Sequence, residues 1–348
     1  MAGLMDETGL LERARSGDNT AFDELVAPYR GELHAHCYRM LGSLHDADDA
    51  LQDALFGAWK GLAGFEGRSS VRAWLYRIAT NSSIRIGRGR LRILSIDYGP
   101  AATDPQELGE PVLEPIWLEP YPEALLGSAG PVDPAARYDV RESVEIAFVA
   151  ALQHLPATQR AVLILREVLA FSAAEVAGVL ETTVPAVNSA LQRARAGLDR
   201  RVHPQTQKET VAALGDVRAQ ELLESLMAAW ERADVPAILE LLVDDAVMSM
   251  PPLPAWFDGR DAIGRFLQER MFQDPWRVRR ATVNGQLALV CYQRRDGDFR
   301  LGGLTALTVR RDRIAALTSF LAPMLDERFE LPAEFSGWTD ESAAIRDS

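Results

Sequence analysis

Apolar positions in the first quarter of the chain recur every three or four residues. Phe22, Leu25, Val26, Tyr29 and Leu33 form one stripe, and Ala50, Leu51, Ala54, Leu55, Ala58 and Trp59 form another. That spacing is the mark of amphipathic helices, so residues 8–95 read as wholly helical. Ser69 and Ser70 stand before Val71 as N-caps. The helix they open would bury Val71, Leu75, Ile78 and Ser82. It would turn Arg72, Tyr76, Arg77, Thr80 and Ser83 to the opposite half, an outward face that mixes arginine with an aromatic and could meet phosphates and unstacked bases. The same placement would equally let Tyr76 cover a neighbouring helix.

Helical spacing returns at Val144, Phe148, Ala151, Leu152 and Leu155. Pro156 ends that helix, and residues 161–169 mark the next. Ser172-Ala173-Ala174-Glu175 is a capping box. Glu181-Thr182-Thr183 make a turn, and Pro185 sits in the first turn of the following helix, where its missing N–H costs little. This last helix buries Val187, Leu191, Ala194 and Leu198. Pro185, Ser189, Gln192 and Ala196 point away, flanked by Asn188, Arg193 and Arg195. A short helix, a tight turn and a helix with a polar, basic outer face form a helix-turn-helix pattern. Ser, Asn, Gln and Arg suit base edges in a major groove. An ordinary helical hairpin would share the pattern.

Beyond residue 215 the period changes. Helices at 216–232 and 236–242 precede strand-like runs at 246–250, 278–283, 286–293, 299–309 and 313–320, with a further helix opening at Asp258-Gly259-Arg260-Asp261. Helices followed by a run of antiparallel strands predict an α+β domain. Residues 96–139 show no period. They hold eight prolines and nine acids against one base, and read as a linker. It would span about 145 Å fully extended or about 36 Å as a flexible coil. Its patch Trp117-Leu118-Glu119-Pro120-Tyr121-Pro122 is too aromatic for an inert spacer and is expected to dock.

Composition narrows the class. The chain has 348 residues, 47% of them hydrophobic and 25% charged, as expected of a soluble protein of two or three domains. No apolar run approaches the roughly 18 residues of a membrane helix, and the start has no basic, then apolar, secretory pattern. Cys37 and Cys291 are too far apart in sequence for a disulfide-rich scaffold. A cytoplasmic protein with free thiols is the natural expectation. The net charge of −13 argues against nucleic acid, but the distribution does not. Residues 68–92 carry seven arginines and no acid, and residues 184–201 carry four arginines against Asp199. One such run is ordinarily a solvated face. Two, in separate helical segments, point to phosphates.

Asp46-Ala47-Asp48-Asp49-Ala50-Leu51-Gln52-Asp53-Ala54-Leu55-Phe56-Gly57-Ala58-Trp59 resembles region 2.2 of sigma-70-type RNA polymerase sigma factors. Residues 65–81, from Phe65-Glu66-Gly67-Arg68 through Trp74-Leu75-Tyr76-Arg77-Ile78-Ala79-Thr80-Asn81, resemble region 2.3–2.4 of the extracytoplasmic-function group. Leu155-Pro156 through Asn188-Ser189-Ala190-Leu191-Gln192-Arg193 resembles region 4. Trp230-Glu231-Arg232-Ala233-Asp234 through Phe257-Asp258-Gly259-Arg260 resembles SnoaL-like domains of the nuclear-transport-factor-two-like fold, and the Trp117 patch matches the subgroup that carries one. The resemblance implies a multidomain fold: an all-α region 2 bundle (6–95), an acidic Pro-rich linker (96–139), an all-α region 4 helix-turn-helix (140–203) and an α+β cone-shaped barrel (215–335). It implies that Asp49, Gln52 and Asp53 grip the β′ subunit of the polymerase core, with β a further partner. It implies that Arg68, Arg72, Trp74, Tyr76, Arg77 and Asn81 open and read the minus-ten promoter element. Pro185, Asn188, Ser189, Gln192, Arg193 and Arg195 would read the minus-thirty-five element. After Asn81 the chain departs from the family, with Gly87 and Gly89 weakening the helix end by up to about 1 kcal/mol each.

The fused C-terminal domain suggests control within the chain. Met248, Met250, Trp256, Phe257, Phe266 and Tyr292 could line an apolar pocket for an unidentified small ligand, or simply form core. An enzyme is the other reading of that domain, yet it has no histidine after His203, and Asp244, Asp245, Asp258 and Asp261 fall at turns by pattern. No catalytic residue, cofactor or membrane partner is expected. His34, His36 and Cys37 share one helix with no second ligand pair, so packing explains them better than a metal. A conventional helix-turn-helix repressor would not need the region 2 motifs.

Overall fold

A computed structural model describes residues 2–114, 116–128, 144–199 and 206–335. They fall into two units, Met1–Ile93 with Glu123–Pro204, and Leu94–Pro122 with Gln205–Ser348.

The first unit is helical. Its N-terminal part holds α1 (Ala2–Arg15), α2 (Asn19–Val26), α3 (Arg30–Leu41), α4 (Leu44–Gly61) and α5 (Val71–Ile86). Side chains satisfy the exposed N–H groups at three helix starts: Asp18 accepts from Ala21 N, Ser43 from Asp46 N and Ser70 from Ala73 N. Helix α3 is buried from Glu32 to Leu41, because α4 and α5 pack on it from different sides. Its polar groups need partners there. Glu32 takes Arg72, and His36 Nε2 lies 2.9 Å from Thr80 Oγ1.

The same unit holds α7 (Glu123–Ser128), α8 (Ile146–Gln153), α9 (Ala157–Leu163, continued by a π-helical turn at Ile164–Val168), α10 (Ala173–Val179) and α11 (Val184–Leu198); the four-residue α6 (Ser95–Tyr98) belongs to the second unit. The capping box at Ser172 and Glu175 forms as the spacing predicts, and Pro185 sits in the first turn of α11. Arg200 and Arg201 of the second basic run lie outside the described residues. A buried arginine ties the unit together. Arg160 donates to Gln153 Oε1 (2.7 Å) and to the carbonyls of Gln153 (2.8 Å), Leu155 (3.1 Å) and Met40. It thereby satisfies terminal carbonyls of both α3 and α8. Burial lowers its pKa to about 10, which leaves it charged at neutral pH.

The second unit holds α12 (Gln207–Leu214), α13 (Asp216–Glu231), α14 (Val235–Glu240), α15 (Arg260–Glu269) and six strands. These are β1 (Leu242–Ser249), β2 (Trp256–Asp258), β3 (Trp276–Val283), β4 (Gln286–Arg295), β5 (Asp298–Arg310) and β6 (Arg313–Leu321), in the order β2-β1-β6-β5-β4-β3. All neighbours are antiparallel except β1 and β6. Asn284 and Gly285 join β3 to β4 with φ of 53° and 68°, the left-handed pair that a tight hairpin turn requires. Leu226, Trp230, Phe257, Phe266, Leu289 and Leu317 belong to one core between helices and sheet.

Two expectations are corrected here. Asp244 and Asp245 lie within β1 rather than at turns, paired with Arg260 and Arg310. Strand β2 escapes sequence reading because three residues are too few to show a period.

The larger correction concerns the linker. Residues 94–114 and 116–122 lie along the second unit as a strap rather than forming a free tether; residues 129–139 of the expected linker lie outside the described residues. Ser95 Oγ donates to Leu253 O at 2.9 Å, Ala102 N to Trp256 O at 2.8 Å and Val112 N to Pro252 O at 3.0 Å. Tyr121 N donates to Asn284 Oδ1 at 2.8 Å, and Asn284 N returns a bond to Tyr121 O at 3.0 Å. Trp117, Leu118 and Tyr121 are buried, so the aromatic patch docks as expected. Proline suits such a segment, which runs extended and needs few backbone donors. Gly109 has φ +73°, and a Cβ there would meet Pro254 Cγ at 2.7 Å.

Candidate functional site

Helix α4 buries Ala47, Ala50, Ala54 and Ala58. Small residues on that face let it approach α3 and α5 closely, and its other face is left to solvent. Asp49, Gln52 and Asp53 are all exposed on it. Asp49 lies 3.9 Å from His45, and Asp53 accepts from Arg85 at 2.6 Å. Phe56 continues the row three residues on, is 58% exposed, and carries the Lys60 ammonium 4.1 Å from its ring centre. Sequence reasoning missed Phe56. Its signal was a large apolar residue at i+3 and i+4 from Asp53 and Gln52.

Helix α5 departs from expectation. Tyr76, Thr80 and Ser83, assigned to an outward face, are buried. Two layers cover this helix, α3 on one side and the segment leading into α10 on another. Phe171 meets the Tyr76 ring edge-on at 5.3 Å, with the Arg72 guanidinium 4.8 Å from Phe171 and 5.0 Å from Tyr76. Burial raises the Tyr76 hydroxyl well above its ordinary pKa. Tyr76 therefore covers a neighbouring segment rather than facing solvent. Trp74 is half-buried on Phe65 at 4.8 Å, while Arg68, Arg77 and Asn81 are exposed. A hollow between residues 64–77 and 174–179 is lined by Arg68, Ser69, Trp74, Arg77 and Glu175.

The first basic run is not a free phosphate surface. Arg68 pairs with Glu66, Arg72 with Glu32, Arg77 with Glu181, Arg85 with Asp53, and Arg90 and Arg92 both with Asp46. The partners lie outside the run, so its charge looked unbalanced along the sequence. Exposed pairs such as Arg77–Glu181 hold weakly, about 0–1 kcal/mol.

Helix α11 matches its expected faces. Val187, Ala190, Leu191 and Ala194 are buried, and Pro185, Asn188, Ser189, Gln192, Arg193 and Arg195 are exposed. Arg195 pairs with Glu167 at 2.7 Å. Thr183 caps the helix through Ala186 N at 3.3 Å, fixing its start beside the turn.

In the second unit only two of the six expected pocket residues, Met250 and Phe266, line the cavity on the sheet. Met248 and Phe257 are core, with Phe257 stacked on Phe266 at 4.4 Å. Trp256 donates to Gly99 O on the strap at 2.8 Å, and Tyr292 packs on Phe335 at 5.3 Å. An apolar residue type does not reveal whether a strand position faces a void or a neighbour. The cavity is lined instead by Trp276, Cys291, Thr305, Ser319 and strap residue Leu108, among others. Among the described residues no helix is long and apolar enough to cross a membrane, and no cluster of three potential ligands could hold a metal. His34 Nε2 instead lies 3.1 Å from Asp48 Oδ1.

Known families match in the same order along the chain: sigma-70 region 2 over residues 25–92, sigma-70 region 4 over residues 145–198 and a SnoaL-like domain over residues 223–317. The ECF RNA polymerase sigma factor SigG of Mycobacterium tuberculosis is 43% identical, across 91% of this chain and 85% of its own length. The ECF RNA polymerase sigma factor SigW of Bacillus subtilis is 27% identical across 54% of this chain and 92% of its own. The crystal structure of the Mycobacterium tuberculosis extracytoplasmic function sigma factor SigJ shares the fold, with a TM-score of 0.53 and 23% identity over 87% of this chain and 96% of that one. With two sigma regions, a SnoaL-like domain and a relative matched nearly end to end, the chain belongs to the extracytoplasmic-function RNA polymerase sigma factors.

Proposed function

We propose that Asp49, Gln52, Asp53 and Phe56 on α4 dock on the β′ subunit of the polymerase core. Arg68, Trp74, Arg77 and Asn81 engage the minus-ten element, and α11 reads the minus-thirty-five element through Asn188, Ser189, Gln192 and Arg193. The observation that carries this reading is the outer face of α11, six exposed residues with donors and acceptors suited to base edges behind an apolar inner face. Arg72 and Tyr76 join the minus-ten surface only after Phe171 moves off them.

The C-terminal domain acts as a regulator in cis rather than an enzyme. Its cavity lining contains no histidine, and the one carboxylate there, Asp274, accepts from Gln293 at 3.2 Å among exposed residues. General acid or base work needs a better placed group.

The test is transcription in vitro with purified polymerase core on fragmented source DNA. Full-length protein is compared with a version ending at Pro204 and with Gln192→Ala. Defined transcripts are expected from the full chain or the shortened one, with a difference between them that gives the sign of the control. Gln192→Ala should weaken use of those promoters by about 1–3 kcal/mol at one base position. Specific DNA binding without core, and no transcripts with it, would instead mark a repressor.

A further inference from the structure

A cavity of about 350 Å³ opens on the sheet of the C-terminal domain. Its floor carries three polar side chains from adjacent strands, Cys291 on β4, Thr305 on β5 and Ser319 on β6. Thr305 Oγ1 and Ser319 Oγ share a hydrogen bond at 2.8 Å, and Cys291 Sγ lies 3.6 Å from Thr305 Oγ1. All three residues are buried. A hydroxyl has one proton and two lone pairs, so a mutually bonded pair keeps capacity for another partner. Burial pushes the Cys291 thiol up to about 12, so the floor is uncharged at neutral pH.

The walls are apolar: Met250, Phe266 and Trp276, with Leu108 from the strap. Trp276 Nε1 donates to Met271 O at 2.9 Å, which occupies the one polar atom of the indole. Gly302 keeps that ring close, because a Cβ there would lie 2.9 Å from it. Arg270, Asp274 and Arg295 are exposed and mark the mouth. The volume is at the small end for ligand pockets. An ionised ligand would exchange its water for neutral hydroxyls alone, an unfavourable trade.

We propose that this cavity binds a neutral one- or two-ring molecule bearing a hydroxyl or keto oxygen, with Thr305 and Ser319 holding the oxygen and the strap closing over the ring through Leu108. This rests on the reading of the domain as a regulator. A ligand that needs the closed strap stabilises it by mass action. Occupancy then reaches the segment between regions 2 and 4.

The experiment uses full-length protein and three probes of one skeleton: 2-naphthol, naphthalene and 2-naphthoate. Affinity is read by titration calorimetry, and strap closure by amide exchange at Ala102 and Val112. 2-Naphthol should bind at least tenfold tighter than either other probe and slow exchange at both amides. Thr305→Val should remove the preference for 2-naphthol while naphthalene binding stays, and Ser319→Ala serves if that variant does not fold. No binding, equal affinities, a preference for the carboxylate, or unchanged exchange at the strap would each overturn the proposal. Transcription by the full and shortened chains without probe reads cis control separately. An empty cavity leaves that difference standing, and a domain without effect on transcription leaves the binding measurable.

Discussion

His36 is a polar residue in the middle of a helix that is buried on all sides. Its Nε2 lies 2.9 Å from Thr80 Oγ1, and its ring meets Tyr76 edge-on at 5.1 Å. Burial lowers its pKa to about 3, with Arg39 and Arg72 adding like-charge repulsion. The folded protein therefore keeps His36 neutral where the unfolded chain, titrating near 6.5, takes up a proton. Stability from this residue is full above pH 6.5 and falls as pH drops towards 3, by up to about 1 kcal/mol per pH unit. Urea unfolding at pH 7, 6 and 5 should show that decline, and His36→Gln, which cannot titrate there, should flatten it. An unchanged slope in the variant would mean other groups carry the acid sensitivity. His36 was legible as packing rather than metal binding, since it lacked a second pair of ligands. Its partner Thr80 was not, because helical period alone placed Thr80 on the wrong side of α5.

At the scale of elements, local chemistry was the legible part. The caps at Ser70 and Ser172, the proline opening α11 and the inner face of α11 all depend on residues within a turn of one another. What failed depended on distant partners. Helix α5 has two covered faces, and a single stripe of apolar residues predicts only one. The arginines after it looked like a free cationic surface, but Arg90 and Arg92 both close on Asp46 at the start of α4. Arg92 is 3% exposed and Asp46 2%, so the pair is held out of water. Asp46→Asn removes the charge opposite two guanidiniums and should cost about 3–5 kcal/mol in urea unfolding. Asp53→Asn breaks the exposed pair with Arg85 and should cost at most about 1 kcal/mol. Similar losses in the two variants would show that burial of the Asp46 pair adds nothing.

The path of the whole chain constrains how control in cis can work. The backbone leaves the first unit at Ile93, passes through the second as the strap, returns at Glu123 and leaves again after Pro204. Region 2 and region 4 are thus joined through a segment bound to the C-terminal domain. Removing that domain does more than delete a module, because it strips the partners from the buried Trp117, Leu118 and Tyr121. A cleaner perturbation exists at the turn between β3 and β4. Asn284→Gly keeps a residue that tolerates positive φ but deletes the side-chain acceptor of Tyr121 N. Loss of one buried bond of this kind costs about 1–3 kcal/mol, enough to loosen the strap's end without unfolding a domain whose core lies elsewhere. Proteolysis near Tyr121 should quicken in this variant while the thermal midpoint of the domain shifts little. If control runs through the linker, Asn284→Gly should change transcription in the same direction as truncation at Pro204, with the domain still present. A variant with a loosened strap and full-length transcription levels would place the control in the domain itself rather than in how it holds the linker.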